Sequence, residues 1–204
     1  FPHLARWLDA QNERLDKLVT ASQPSRYYAP LLTSNDPPTL VSALLPVANT
    51  CRPVAKALLV RAMHRASEKN IAGAMDDIFA VHRFARHVAD QATLVESLVG
   101  MALETMALDA QAALLANVDL TRDQLAKLRK RNDELAPFPP AWKRMELGER
   151  MMFLDAVCSA AQLGAKAIQE FTGTIADDSI STKAAEALIA ITIDWDVALR
   201  TGNP

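Results

Sequence analysis

The chain has 204 residues, half of them apolar, with a formal charge of −2 and an isoelectric point of about 6.1. That composition provides a substantial core and excludes disorder, and its balanced charge gives no global attraction to nucleic acid or to a membrane surface. Aromatic residues make up 5% of the chain, too few for platforms that stack sugars or single-stranded bases, and two cysteines are too few for a disulfide framework.

Proline placement parses the chain, because proline lacks the backbone donor and clashes inside a helix. Six of the eleven prolines fall between Pro24 and Pro53, and three more between Pro137 and Pro140. The stretches 54–136 and 141–203 contain none and are predicted to be helical. Glycine is sparse and period-two alternation is hard to find, so almost no sheet is expected. The predicted first helix spans 4–21, with Leu4, Trp7, Leu8, Leu15, Leu18 and Val19 at helical spacing. A proline-rich connection follows over 22–46, then a second helix from 47 or 53 to 68, with Pro53 near its first turn. "EKNIAG" makes a turn into a third helix over 71–90. The fourth spans 93–116 and the fifth 121–135, opened by the capping box "TRDQ". A long sixth helix is expected over 142–171 and a seventh over 182–199.

The second and third helices carry Ala57, Ala62 and Ala74 where two antiparallel helices must approach closely, then Ile78 one turn on. In this they resemble a tetratricopeptide helical hairpin, which implies stacked neighbours that bury both faces. The fold class expected is all-α: a single domain over 1–204, an irregular array of about seven helices.

Several side chains stand out against this background. Ile71, Met75, Ile78, His82, Ala85 and Ala89 share one stripe of the third helix, which puts His82 in an apolar face. Such an imidazole is either a tuned general base or a core histidine bonded to a carbonyl or carboxylate; His64 and His87 read as surface residues. The fourth helix is apolar nearly all round, so its polar stripe of Glu96, Ser97, Gly100, Glu104 and Gln111 is informative. Gly100 lets another backbone come close, and a carboxylate there needs a partner. Arg61 and Arg65 are the expected partners. Functionally, Glu104 and His82 would form half of an acid/base constellation, with Glu149 as a further candidate; structurally, they would form a buried network. The segment 52–86 holds seven Lys or Arg against Glu68, Asp76 and Asp77, an excess that suits phosphates or an acidic peptide as well as a solvated face. Neither a metal site nor a cofactor is expected, since His82 and His87 do not share a helical face. Cys51 and Cys158 are expected as two buried thiols, a long-range bridge being the alternative. No apolar run reaches the ~18 residues of a spanning helix, so a soluble chain is expected.

Tyr27 and Tyr28, with Arg26 before them, sit in the proline-rich connection and are expected to anchor it, the alternative being a recognition surface. Together "WLDAQNERLDKLVTASQPSRYYAPL", "ALLPVANTCRPVAKALLVRAMHR", "AGAMDDIFAVHRFARHVADQATLVESLVGMALE", "LGERMMFLDAV" and "DWDVALRTGN" resemble a paralogous family of planctomycete bacterial proteins over essentially the whole chain. Its matching positions include Tyr27, Tyr28, His82, Arg83, Glu104, Glu149, Arg150 and Asp155. The resemblance implies no activity. It implies an additional N-terminal part beginning with a hydrophobic segment and a continuation beyond "DWDVALR", as in an exported or membrane-anchored protein. The leading functional expectation is a non-catalytic binding or scaffolding module that presents a groove to a protein or peptide, with Arg61, Arg65, Arg83, Tyr27 and Tyr28 as candidate contacts. The alternatives are a hydrolase using His82 with Glu104 or Glu149, and a purely structural envelope protein.

Overall fold

The helix-forming stretches between the proline clusters dominate a computed structural model that describes residues 2–33, 40, 46–142 and 145–163. Its helices are α1 (Pro2–Ala21), α2 (Pro46–Ser67), α3 (Ile71–Ala89), α4 (Leu94–Asn117) and α5 (Arg122–Asp133), then a π-helical turn (Met145–Glu149) that leads into α6 (Arg150–Leu163). The described residues contain no β-strand, so the all-α class holds. The long helix expected over 142–171 is divided by the π-helical turn, and its end and the helix expected over 182–199 lie outside the described residues. α2 begins earlier than expected, at Pro46, and runs through Pro53, which therefore removes a donor inside the helix rather than in its first turn.

The chain folds as two compact units. One comprises Phe1–Ala29, Pro46–Gln91 and Val95–Ala141; the other comprises Pro30–Leu45, Ala92–Leu94 and Trp142–Pro204. In the first, α2 and α3 form a hairpin whose contact is made by small side chains. Ala55, Ala62 and Ala74 are fully buried beside Leu58 and Ile78, while Ala57 is half-buried. The turn between the two helices closes with the Asn70 N–H donating to the Arg65 carbonyl and the Lys69 N–H to Ala66, the paired bonds of a Schellman motif. Lys69 occupies the left-handed position of that motif, at φ 63°. The Asn70 side chain then accepts from the Gly73 N–H and caps α3. A side chain with a Cβ at the left-handed position is strained, so Lys69→Gly is expected to stabilise the chain by about 1 kcal/mol, read as a higher urea midpoint at unchanged slope.

α4 packs closely against α3 at Gly100. A Cβ on Gly100 would stand 2.6 Å from the Ala89 Cβ and 2.7 Å from both the Ala85 carbonyl oxygen and the Ala89 nitrogen, so the two backbones nearly touch there. The stripe expected on α3 is buried throughout, with Phe79, Val81 and Val88 extending it, and α4 fills its own buried face with Val99, Leu103, Ala107 and Leu114. Its outer side keeps Leu98, Met101, Leu108 and Leu115 exposed. By length and composition α4 could cross a membrane, where no stretch of that kind was expected; Glu96 and Ser97 are buried within the fold. α5 begins with the predicted capping box: Thr121 accepts from the Gln124 N–H, and the Gln124 side chain accepts from the Thr121 N–H.

Candidate functional site

The His82 stripe and the α4 polar stripe meet. His82 Nδ1 lies 3.0 Å from Glu104 Oε2, an ion-pair distance without an aligned hydrogen bond, and Nε2 lies 3.2 Å from Gln111 Oε1. Arg86 donates through Nη1 to the same Glu104 oxygen at 2.7 Å and to the His82 carbonyl at 2.9 Å, and through Nε to the Ala136 carbonyl at 2.6 Å. Its guanidinium also stands over the Phe138 ring. Burial alone raises the Glu104 carboxyl, but His82 and Arg86 outweigh it and hold the group below its ordinary value. An acid/base pair therefore exists here in geometry. What it lacks is access: the His82 side chain is 1% exposed and that of Glu104 17%, and the Phe79 ring stands against the imidazole. A substrate cannot reach a nitrogen sealed inside the contact of two helices, so the cluster serves to fix α3, α4 and the segment after α5 to one another.

The depressed Glu104 value fixes the sign of a pH effect. A carboxyl that ionises more readily folded than unfolded adds stability above its ordinary value, 4.5 for glutamate, and that contribution is lost as pH falls through the folded value. Glu104→Gln is accordingly expected to be less stable than the parent at pH 7, with the gap narrowing as both are titrated below pH 4.5; a gap that stays constant through the acid range would show that the carboxylate charge is irrelevant.

Arg61 and Arg65, expected to serve the carboxylates of α4, turn to α1 and α3 instead. Arg61 grips Asp77 with Nε to Oδ2 at 3.0 Å and Nη2 to Oδ1 at 2.7 Å, and its Nη1 donates to Asp16 Oδ1 at 2.8 Å and to the Asn12 carbonyl at 3.2 Å. Arg65 bonds both Asp77 oxygens and the Gly73 carbonyl. The Arg61 and Asp77 side chains are 2% and 0% exposed. Burial pushes the Asp77 carboxyl up, and the two guanidiniums pull against that push. This network, buried at Arg61 and Asp77 and open to water at Asp16, holds α1 to the α2/α3 hairpin, and both arginines are turned inward. Arg83 is half-buried as well, donating from Nε to Ser22 Oγ, so it too faces inward. Arg131 pairs with Asp76 and lies over the Phe79 ring.

Glu149 has a structural partner. In the second unit its Oε1 accepts the Leu94 N–H at 2.7 Å and so caps the start of α4. Gly148 beside it meets the Ala92 carbonyl so closely that no Cβ fits, which is where the sixth predicted helix takes its π-helical turn. Asp155 likewise accepts from the Leu40 N–H at 2.7 Å.

The tyrosine pair is anchored, but through its backbone. The Gln91 amide donates to the Tyr27 carbonyl at 3.1 Å and accepts from the Ala29 N–H at 3.0 Å. The Tyr27 ring lies 6.1 Å from that of His87, whose Nε2 is 3.2 Å from the Ser22 carbonyl oxygen; His87 and His64 are half-buried rather than surface residues. Burial, then Cys51 and Glu96, raise the Tyr27 hydroxyl, while Tyr28 is 81% exposed. Both cysteines are free, Cys51 buried and Cys158 exposed, where two buried thiols were expected. Burial and the nearby Glu96 push Cys51 up to about 12, which keeps it an unreactive thiol at neutral pH. No group of three or more metal-ligating side chains occurs among the described residues.

Among the described residues, an accessible groove of about 640 Å³ is bounded by Leu4 of α1, Leu59, Val60 and Met63 of α2, and Met106 of α4, with Lys56, His64 and Ser67 also lining it. That volume lies within the range of ligand-binding clefts. The α2 residues involved, Lys56, Leu59, Val60, Met63, His64 and Ser67, form one unbroken helical stripe. From the sequence His64 reads only as a surface residue and Lys56 only as part of the basic excess of 52–86, and the apolar members of the stripe were not singled out. The signal that could have found them is the Val60 and Met63 pair, apolar but away from the face of Ala55, Leu58 and Ala62. Comparison with known proteins finds no matching family model, curated protein or solved structure.

Proposed function

We propose that this chain is a non-catalytic helical binding module, and that the groove between α1, α2 and α4 receives the apolar side of a peptide segment of a partner protein. The observation that supports this most directly is the groove itself, whose apolar walls come from three helices held in register by the Arg61–Asp77 network and the Gly100 contact. Two of its walls are methionines, Met63 and Met106, which adapt to irregular apolar partners. A recognition role for Arg61, Arg65 and Arg83 fits poorly, because each is turned inward. The hydrolase reading draws on His82 and Glu104, which are adjacent but enclosed, and on Glu149, which is occupied with the Leu94 N–H.

The test is a titration with a fluorescently labelled amphipathic peptide of leucine and alanine, followed by anisotropy. Saturable binding is expected, and Val60→Asp should abolish it, since Val60 is 37% exposed and a carboxylate there alters the groove without unfolding the core. Binding that survives Val60→Asp would sink the proposal, as would hydrolysis of a generic ester lost in His82→Leu.

A further inference from the structure

The charge around the groove is one-sided. α2 carries no aspartate or glutamate along its 22 residues, whereas Arg52, Lys56, Arg61, His64 and Arg65 lie on it. These sort by face. Arg61 and Arg65 are neutralised by Asp77 and Asp16 on the inner side. Arg52 and Lys56 are exposed one turn apart on the outer side, and among the described residues neither makes an ion pair. Among the described residues Lys56 and His64 line the groove, and no acidic one does. The nearest acids along the chain are Glu68, 3.7 Å from His64, and Glu104 and Asp109 on either side of Met106, of which Glu104 is paired with His82 and Arg86.

The spacing of the rim groups decides what kind of anion fits. Lys56 and Arg52 are one turn apart on α2, roughly 6 Å along its axis at 1.5 Å per residue, whereas His64 at the other end of the stripe already has Glu68 beside it. An amphipathic helix with acidic residues on its flank can lay its apolar side along the stripe from Leu59 to Ser67 while setting carboxylates beside both Lys56 and Arg52. Resting on the reading above, we infer that the groove is selective for an amphipathic helical segment whose apolar stripe enters between Val60, Met63 and Met106 and whose flanking Asp or Glu residues pair with Lys56 and its neighbour Arg52. This is recognition of a helix in a groove with an electrostatic edge.

The experiment compares three labelled synthetic helical peptides with the same leucine stripe and with glutamate, glutamine or lysine on the flank, and adds laurate as a free acyl carboxylate. The glutamate peptide is expected to bind about fivefold tighter than the glutamine peptide, the scale of exposed ion pairs, with the lysine peptide weakest. The preference should fade at high salt and disappear in Lys56→Gln and Arg52→Gln together. Equal binding of all three peptides, still lost in Val60→Asp, overturns the charge selectivity and leaves the groove reading standing. Failure of every peptide to bind removes both. Laurate that saturates the groove and displaces the glutamate peptide at matched concentration overturns the peptide as occupant.

Discussion

Asp77→Ala is expected to lower the unfolding free energy by about 3–5 kcal/mol, the largest single effect in this chain, because it strands a charge that cannot reach water. The Arg61 side chain is 2% exposed and depends on Asp77 for two of its bonds; after the substitution it keeps only Asp16 and Asn12, both on the far side. Arg65 loses its inner partner in the same step. Urea denaturation followed by circular dichroism reads the change directly. The double variant Arg61→Met with Asp77→Leu supplies the control: removing both charges and filling their volume should recover most of the loss. A cost below about 1 kcal/mol for Asp77→Ala is the value of an exposed pair, and would mean that water reaches Arg61.

The second large effect is one of sign. In an exposed helix, glycine to alanine gains about 1 kcal/mol through helix preference. Gly100→Ala should instead destabilise by about 2 kcal/mol, since the new methyl would lie 2.6 to 2.7 Å from Ala85 and Ala89, and two of the three atoms it meets are backbone. A helix cannot yield locally as a flexible side chain does, so α4 must shift along its whole contact with α3, pulling Glu104 away from His82 and Arg86. The readout is thermal unfolding. A raised midpoint would show that the two helices have slack between them.

Much of the fold was legible because its punctuation is local. The proline clusters bracket the helices, "TRDQ" carries the α5 cap in four consecutive residues, and the small residues of α2 and α3 mark their contact. The His82 stripe and the α4 polar stripe were both visible as helical spacing, and they do meet. What local pattern cannot supply is choice of partner. Arg61 was assigned to carboxylates on α4, and its true partner, Asp77, sits in "MDDIF", where adjacent acids look like a solvated edge. Yet Asp77 follows Ala74 by three residues and precedes Ile78, so its phase already points it inward. The π-helical turn escaped for a related reason: "MELGE" continues the helical spacing, and only the Ala92 carbonyl against Gly148 reveals the constraint. The groove was the least visible feature, because a concavity is defined by side chains that do not fill it.

The cap that Glu149 places on α4 has a consequence for the order in which a growing chain can complete itself. The Leu94 N–H and its acceptor are 55 residues apart, so on the ribosome α4 can form, dock on α3 and bury Gly100 while its first turn still donates to water. A nascent chain released before Glu149 holds every helix of the first unit and one unsealed helix end. The first turn of α4 is thus finished by a carboxylate synthesised after the helix it caps.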